Sequence, residues 1–241
     1  MKKLLLLLLT LFTVPSSYAL TLTVGTSPQN PPFASLADDN GNFFGFDIDI
    51  MMAICKRIKA VCNFKPFTLS EMWGELQNHT IDVAISAIII TPQRASNFLF
   101  SLPYMESNAQ FLSLQQSNIH FPKDIESKTV GTRLGTPFKE LALLLYKNKI
   151  ISKEFAIVAD LLEALKKGDV DVIFINEEAA KFIAANTDGL FRLVGSRIPI
   201  GDGYAVMASK GSEALIAQIN QALLSMEEDG TYLQIYSNYF N

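Results

Sequence analysis

The stretch that decides the fold is IDVAISAIIITPQRASNFLFSLPY, residues 81–104. Residues 83–90 are mostly β-branched or aliphatic and show no helical period. They therefore predict a strand that is covered on both faces. Thr91 and Pro92 follow it as a predicted N-cap and first residue of a helix. The stretch thus predicts a buried strand that ends at the start of a helix.

Arg94 lies two residues after this helix start. The N-terminus of a helix offers unpaired N–H groups and a partial positive charge, which suit an anion. A nearby guanidinium adds a planar pair of donors that matches a carboxylate. We therefore predict a small anionic ligand at the end of this strand. The alternative is that Arg94 forms a solvated surface ion pair, and the local sequence leaves both readings open.

The N-terminal residues have the pattern of a secretory signal peptide. Lys2 and Lys3 precede an apolar run over residues 4–14, which is too short to span a bilayer, and residues 17–19 form a cleavage site. We predict that residues 1–19 are removed after Ala19 and that the mature protein is exported and soluble. The chain has a formal net charge of -4, and loss of the two lysines makes it more negative. This charge argues against a nucleic-acid-binding protein.

Two cysteines are present, Cys55 and Cys62. An even number in an exported protein favours a disulfide, here between the end of a helix and the next strand; two reduced, buried thiols are the alternative. His79 and His120 lack the spacing of metal ligands, so we predict no metal and no cofactor. The sequence also carries no nucleotide-binding or nucleophile motif.

Strands alternate with helices along the rest of the chain, which predicts an α/β fold with right-handed crossovers. Asp47 is predicted to cap the first helix, and Thr136 with Pro137 repeats the helix start of Thr91 and Pro92. Phe33 and Trp73 are predicted core residues. Predicted strands cover residues 20–25, 64–67, 83–90, 110–114, 128–133, 170–175 and 204–208. One predicted helix starts at residue 46, and the other predicted helices cover residues 70–77, 138–146, 160–167, 177–185, 213–228 and 232–240. A turn is predicted at residues 38–41.

Four loops follow the carboxyl ends of predicted strands, where ligands bind in such sheets. They cover residues 26–30, 86–94, 134–138 and 176–177. Two come from the first part of the chain and two from the second. This order predicts two lobes that face a shared cleft.

A series of short motifs then identifies a resemblance. GT at 25–26, PPF at 31–33, GFDIDI at 45–50, ITPQR at 90–94 and FSLPY at 100–104 are followed by VG at 130–131, GT at 135–136, GDVD at 168–171 and GDGY at 201–204. Together and in this order they resemble the family 3 solute-binding proteins of bacterial amino-acid ABC transporters. The resemblance covers nearly all of the mature chain. The cysteine pair is similar to that of the branch that binds arginine, histidine or lysine-arginine-ornithine.

The resemblance implies a two-lobed periplasmic-binding-protein fold of type II. Lobe one would comprise residues 20–106 and 204–241, and lobe two residues 107–203, joined by two hinge strands. A monomeric, periplasmic receptor would clamp an amino acid as the lobes close and dock on a membrane permease. It would not be an enzyme.

The resemblance also implies a set of ligand contacts. Arg94 would bind the α-carboxylate, aided by Thr91 and, from lobe two, by Thr136. Ser86 and Ala87 would offer backbone groups. Ser27 and Leu69 complete the expected lining from lobe one.

Three positions depart from the family pattern. Asn176 lies where the family usually has an aspartate for the α-amino group, Ile89 replaces a serine or threonine, and Asn30 replaces an aromatic residue. A buried ammonium without a carboxylate partner is unfavourable. Either Glu177 or Asp47 compensates, or the ligand is not an ordinary α-amino acid.

The identity of the ligand side chain stays open at this point. Arg133 lies where several relatives contact that side chain, and in the cleft it would favour glutamine, glutamate or another acid. The cysteine pair and Ser27 favour a basic ligand, so we expect a polar or basic amino acid. A second possibility is an enzyme that resembles dehydratases of cyclic carboxylic acids, with Glu177 as general acid.

Overall fold

The computed structural model of this protein describes residues 20–37 and 42–240. The predicted signal peptide with its cleavage site and the predicted turn at residues 38–41 lie outside these ranges. No helix in the described ranges is long and apolar enough to cross a membrane.

The strands form two five-stranded sheets and one small three-stranded sheet. In chain order they are β1 (Leu20–Thr26), β2 (Gln29–Asn30), β3 (Ala34–Leu36), β4 (Phe43–Phe44), β5 (Ala60–Pro66), β6 (Val83–Ala84), β7 (Phe98–Phe100), β8 (Asn108–Leu114), β9 (Thr129–Arg133), β10 (Ile151–Phe155), β11 (Val172–Asn176), β12 (Phe191–Pro199) and β13 (Met207–Ser209).

Eight helices and one 3-10 turn lie within the described ranges. They are α1 (Phe46–Arg57), α2 (Leu69–Gln77), α3 (Pro92–Ala95), α4 (Phe138–Leu145), α5 (Val158–Lys167), α6 (Glu177–Ala185), α7 (Glu213–Glu228) and α8 (Thr231–Ser237), with the 3-10 turn at Pro122–Ile125. The predicted α/β class is therefore confirmed.

The two large sheets define the two lobes. The first sheet has the order β5-β1-β6-β13-β7, and with α1, α2, α3, α7, α8 and the small sheet it forms lobe one. The second sheet has the order β10-β9-β11-β8-β12, and with α4, α5 and α6 it forms lobe two. In lobe one β1 runs parallel to β5 and β6; in lobe two β9 runs parallel to β10 and β11. In each sheet, three parallel strands therefore place their carboxyl ends at the same edge.

Apolar side chains are buried in both lobes, and one buried cluster includes residues of both. In lobe two, the rings of Phe111 and Phe174 stack with centroids 4.0 Å apart. In lobe one, Phe33 is fully buried, as predicted, and packs edge-on against Tyr204 at a centroid distance of 5.4 Å. Aromatic pairs of this kind stabilise a core beyond the area that they bury.

Two chain segments connect the lobes, residues 104–107 and 200–204, and they lie side by side. The amide of Tyr204 donates to the carbonyl of Met105, and the amide of Tyr104 donates to the carbonyl of Tyr204, both at 2.8 Å. Gly201 has a φ of 65°, and a Cβ there would lie 2.3 Å from the carbonyl oxygen of Ile90. Only glycine therefore allows this close approach.

The decisive stretch folds differently from its predicted single strand. Its residues 83–89 are buried, as expected, but only Val83–Ala84 form a strand. The backbone then leaves the sheet, and Ala87 adopts a φ of 46°. The prediction of a strand to residue 90 is wrong because the amide of Ala87 donates to the carboxylate of Asp47 instead of to a neighbouring strand.

The predicted helix caps are only partly confirmed. The hydroxyl of Thr91 accepts from the amide of Arg94 at 3.3 Å, as expected for an N-cap. Asp47 does not cap α1, because Gly45 is the N-cap and makes no side-chain cap bond. Thr136 does not cap α4 either: Pro137 is the N-cap, and the Thr136 hydroxyl donates back to the carbonyl of Arg133 at 2.6 Å.

The two cysteines form a disulfide, as predicted. Cys55 lies in α1 and Cys62 in β5, with Cα atoms 6.0 Å apart. The bond ties the end of the first long helix to the edge strand of lobe one. Within the described ranges, no group of three or more His, Cys, Asp or Glu side chains could hold a metal ion.

Candidate functional site

The candidate site lies between the lobes, at the carboxyl ends of the parallel strands. Ser27 follows β1, Arg94 lies in the helix that follows β6, Arg133 ends β9 and Asn176 ends β11. Side-chain hydrogen bonds from Arg94 and from Arg133 cross between the lobes here. These bonds connect the predicted loops at residues 26–30 and 86–94 to Arg133 and to the loop at residues 134–138, while Asn176 contacts Tyr204 in the hinge.

Arg94 bridges the two lobes through its guanidinium. It donates to the carbonyl of Ile89 in lobe one and to the carbonyl of Gly135 in lobe two, both at 2.6 Å. Its guanidinium carbon lies 4.9 Å from the ring centroid of Trp73. Burial lowers the pKa of Arg94 to about 10, so it stays charged at neutral pH. Since a guanidinium has five N–H donors, three of them remain for a ligand.

Trp73 was predicted as a core residue, and it packs at the edge of the core. Its ring is only partly buried and carries the Arg94 guanidinium. A cation on an aromatic face is held by the ring quadrupole, so Trp73 fixes the orientation of Arg94. The residues around Trp73 in the sequence, LSEMWGEL at 69–76, give no sign of this role.

The backbone at Gly135 brings lobe two close to α2. Gly135 has a φ of 81°, and a Cβ there would lie 3.2 Å from the amide nitrogen of Ser70. Leu69, the first residue of α2, is 3% exposed beside it. The lobes are thus in contact along this side of the cleft.

Arg133 makes the second bridge between the lobes. Its Nη2 donates to the hydroxyl of Ser27 at 2.5 Å. The residue is 3% exposed, and its Nε has no hydrogen-bond partner. Burial lowers the pKa of Arg133 to about 10, so this side chain is also a cation at neutral pH. A buried guanidinium with a free donor is a ready partner for an anion.

Other buried polar atoms at the same strand ends also lack a partner. They are Oγ1 of Thr26, Nδ2 of Asn30 and Oγ of Ser86. Buried polar groups in proteins are almost always hydrogen-bonded. Their arrangement around the interlobe contact therefore indicates a polar ligand.

Asn176 belongs to a polar chain that reaches the hinge. Its Nδ2 donates to the hydroxyl of Tyr204 at 2.8 Å, and that hydroxyl lies 3.5 Å from Oε2 of Glu178. Burial raises the pKa of Glu178 to about 7. Because the amide nitrogen of Asn176 is used, the amide oxygen is the group that can accept from a ligand.

Asp47 supports the cleft from inside lobe one. Its carboxylate accepts from the amide of Ala87 at 2.7 Å and from the hydroxyl of Tyr104 at 2.8 Å. The side chain is fully buried, and burial raises its pKa to about 7. Asp47 therefore positions the loop at Ala87, and its oxygens are already engaged.

Glu177 and Ile89 have structural contacts within the protein. Oε1 of Glu177 lies 2.5 Å from Lys181, and Oε2 lies 3.6 Å from Arg197, so its charge is balanced within the protein. The residue lines a groove of about 350 Å³ beside the C-terminal helix. The side chain of Ile89 packs at Gly201 in the hinge, while its carbonyl holds Arg94.

A sequence profile of bacterial extracellular solute-binding proteins, family 3, matches residues 22–241. A curated relative, the arginine-binding periplasmic protein of Mannheimia haemolytica, is 31% identical over 88% of this chain and 88% of its own. The lysine/arginine/ornithine-binding periplasmic protein of Escherichia coli is 30% identical over 98% of this chain and 94% of its own.

Solved structures with the same fold are named for arginine. The periplasmic binding protein of an arginine transport system from Legionella pneumophila superposes with a TM-score of 0.90 at 39% identity, over 92% of this chain and all of its own. An ancestral arginine-binding protein solved with arginine superposes with a TM-score of 0.84 at 32% identity, over 92% of this chain and 98% of its own. A structure of an ancestral arginine-binding protein bound to glutamine also superposes with a TM-score of 0.84 at 32% identity, over 91% of this chain and 97% of its own.

Proposed function

The chain belongs to the bacterial extracellular solute-binding proteins, family 3, and from this premise we propose that it is the amino-acid receptor of an ABC transporter. It captures its ligand in the interlobe cleft and delivers it to a membrane permease. The names of its relatives, which are periplasmic amino-acid-binding proteins, support this role. We further propose that residues 1–19 direct export to the periplasm and that the receptor acts as a monomer.

Arg94 carries this proposal. It lies at the contact between the lobes, stacks on Trp73 and keeps three N–H donors after its bonds to two carbonyls. A ligand α-carboxylate placed on these donors gains charge-assisted hydrogen bonds in a site shielded from water. Because the same guanidinium touches Gly135, an anion bound here contacts a group that both lobes hold.

The other end of the amino-acid head group faces a neutral acceptor. In our proposal the α-ammonium donates to the amide oxygen of Asn176. Tyr204 holds the amide nitrogen at 2.8 Å and so orients the oxygen. Contacts proposed for the remainder of the ligand come from residues at the strand ends and the adjoining loops: Ser27, Asn30, Leu69, Ser86, Ala87, Ile89, Thr91, Arg133 and Thr136.

We propose binding without catalysis. Glu177, the general acid of the alternative dehydratase reading, is paired with Lys181 and Arg197 and lines the groove beside the C-terminal helix. A general acid must reach the reacting atom and give up a proton, and this carboxylate is held in a pair of ion pairs instead. We expect no turnover when the protein is incubated with cyclic dienyl carboxylic acids and followed by absorbance.

The test is calorimetric titration of the wild type with the standard L-amino acids, followed by titration of Arg94→Ala with the best ligand. We expect about a hundredfold loss of affinity, because one partner of a buried charge pair is removed. Arg57→Ala is the matched control: Arg57 pairs with Asp229 at 2.6 Å near the C-terminal helices and leaves affinity unchanged. Near wild-type affinity in Arg94→Ala contradicts the proposal.

A further inference from the structure

We propose that the ligand of this cleft is an acidic amino acid and that Arg133 selects it by binding its second carboxylate. This inference rests on the function proposed above and names the substrate class of the same site. It departs from the arginine named for the relatives, and it is carried by charge, by unpaired donors and by spacing.

The first observation is charge. Arg94 and Arg133 both reach the interlobe contact, and within the described ranges neither lies within 4.0 Å of a carboxylate oxygen. Their hydrogen bonds go to neutral acceptors, which are two carbonyls and the hydroxyl of Ser27. Buried cations without a counter-charge are strongly unfavourable. A ligand with two carboxylates supplies one for each guanidinium.

The second observation is the type of unpaired atom. Nε of Arg133 and Nδ2 of Asn30 are buried N–H donors without a partner, and neither can act as an acceptor. The hydroxyls of Thr26 and Ser86 can either donate or accept. Oε2 of Glu177 is a buried acceptor that also lacks a hydrogen bond, but it lies 3.6 Å from Arg197. The unpaired nitrogens of the cleft therefore remain to bind acceptor atoms of a ligand. A carboxylate supplies acceptors only, whereas the guanidinium of an arginine ligand adds further donors and a positive charge.

The third observation is spacing. Nη2 of Arg94 contacts the carbonyl of Gly135, two residues after Arg133, which ends β9. Two residues span at most about 7 Å of extended chain, so Arg94 contacts lobe two close to the backbone position from which the Arg133 side chain extends. Arg133 in turn reaches Ser27 of lobe one. On the proposal, the α-carboxylate of one acidic amino acid lies on Arg94 and its side-chain carboxylate on Arg133.

The alternative interpretation is that Arg133 only holds the lobes together through Ser27 and does not contact the ligand side chain. In that case the loss of Arg133 weakens the binding of every ligand equally, whatever the ligand side chain is. If Arg133 instead selects the acid, its loss weakens the binding of the acid and leaves the binding of the amide of the same shape nearly unchanged. Glutamate and glutamine therefore separate the two readings.

The experiment is calorimetric titration of the full mature chain with L-glutamate, L-aspartate, L-glutamine and L-arginine. We expect the wild type to bind one of the two acids at least about tenfold more tightly than glutamine or arginine, given the extra strength of charge-assisted hydrogen bonds. Arg133→Met is expected to lose at least about tenfold for that acid and less than about threefold for glutamine.

Arg192→Met is the matched control. Arg192 lies in β12 of the same lobe, is partly buried and donates to the carbonyls of Ser117 and Ile119, far along the chain from the cleft loops. Its loss lowers thermal stability but leaves the ratio of acid to amide affinity unchanged. Arg133→Lys provides a second test if Arg133→Met does not fold, because it keeps the charge and is expected to keep the preference for the acid at reduced affinity.

Three results overturn the inference. One is a wild type that binds arginine or glutamine more tightly than both acids, which leaves the proposed receptor function intact. Another is an equal loss for all ligands in Arg133→Met, or loss of the acid preference in Arg133→Lys. A wild type that binds no amino acid at all contradicts the proposed function itself, and so removes its premise as well.

Discussion

Replacement of Asp47 by alanine is expected to destabilise the protein severely, although Asp47 need not touch the ligand. The buried carboxylate accepts from the amide of Ala87 at 2.7 Å and from the hydroxyl of Tyr104 at 2.8 Å. Its removal leaves two buried donors unpaired. Each unpaired buried group costs about 1–3 kcal/mol, which gives about 2–6 kcal/mol for the pair. That is a large part of the stability of an ordinary domain.

The assay is urea unfolding at about pH 8, where the carboxylate is ionised. Tyr104→Phe removes one of the two hydrogen bonds and is expected to lose about 0.5–1.5 kcal/mol. The double variant then measures the coupling between the two residues. Asp49→Ala is the matched control on the same helix: Asp49 accepts from Tyr239 at 2.7 Å in a partly exposed position, and about 1 kcal/mol or less is expected.

A loss below about 1 kcal/mol in Asp47→Ala, with an unchanged denaturant slope, refutes this reasoning. It would mean that the loop at Ala87 holds its conformation without the carboxylate. A loss of the expected size, together with weaker ligand binding, identifies Asp47 as the residue that positions the backbone of the cleft.

Two further perturbations follow from the same structure. Burial raises the pKa of Asp47 and of Glu178 to about 7, from ordinary values of 3.8 and 4.5, so folding favours their protonated forms. Their contribution to the free energy of unfolding is full below about pH 4 and is lost as pH rises through about 7. We therefore expect the urea midpoint to fall between about pH 5.5 and 8, and to fall less in Asp47→Asn. A midpoint that rises over this interval contradicts the assignment. Replacement of Cys55 and Cys62 by serine opens a loop with a sequence separation of 7 and is expected to lose about 2.5 kcal/mol of unfolding free energy, measured against the wild type with and without reductant. Equal stability of all four samples would show that the bond adds nothing.

The sequence predicts the general fold well because periodicity and motif order report it directly. Two strands of lobe two escaped prediction for a physical reason. β10 (Ile151–Phe155) and β12 (Phe191–Pro199) lie at the two edges of their sheet. Both contain mostly exposed or partly exposed positions and carry charged side chains. An edge strand needs no continuous apolar run, so composition alone does not distinguish it from a loop.

The decisive stretch shows a second limit of sequence reasoning. An apolar run reports burial, and residues 83–89 are indeed buried. Whether a buried run continues as a strand depends on which groups satisfy its amides. At Ala87 that group is the carboxylate of Asp47, 40 residues earlier in the chain. No local pattern contains this information.

The local setting of single candidate residues could be predicted from the sequence, but their pairing could not. The position of Arg94 at a helix start was evident from the sequence, and its cap by Thr91 is confirmed. The pairing of Arg133 with Ser27 joins residues 106 positions apart, and it exists only when the two lobes meet. The same holds for Asn176 and Tyr204, which are 28 positions apart. Such contacts are set by tertiary structure, so only the three-dimensional arrangement reveals that a predicted ligand residue already has a partner.

The two arginine bridges also connect ligand charge to closure. When the lobes meet, Arg94 contacts Gly135 after β9 and Arg133 contacts Ser27 after β1, and both lose water without gaining a carboxylate from the described residues. Like charges that approach one another in a shielded site repel. On the proposal above, a bound acid supplies the missing negative charge only in the closed arrangement, where both guanidiniums reach it. A ligand shifts a conformational equilibrium only by the difference in its affinity for the two states. A neutral or cationic amino acid leaves most of this repulsion in place, so it closes the lobes less completely even where its α-carboxylate binds Arg94.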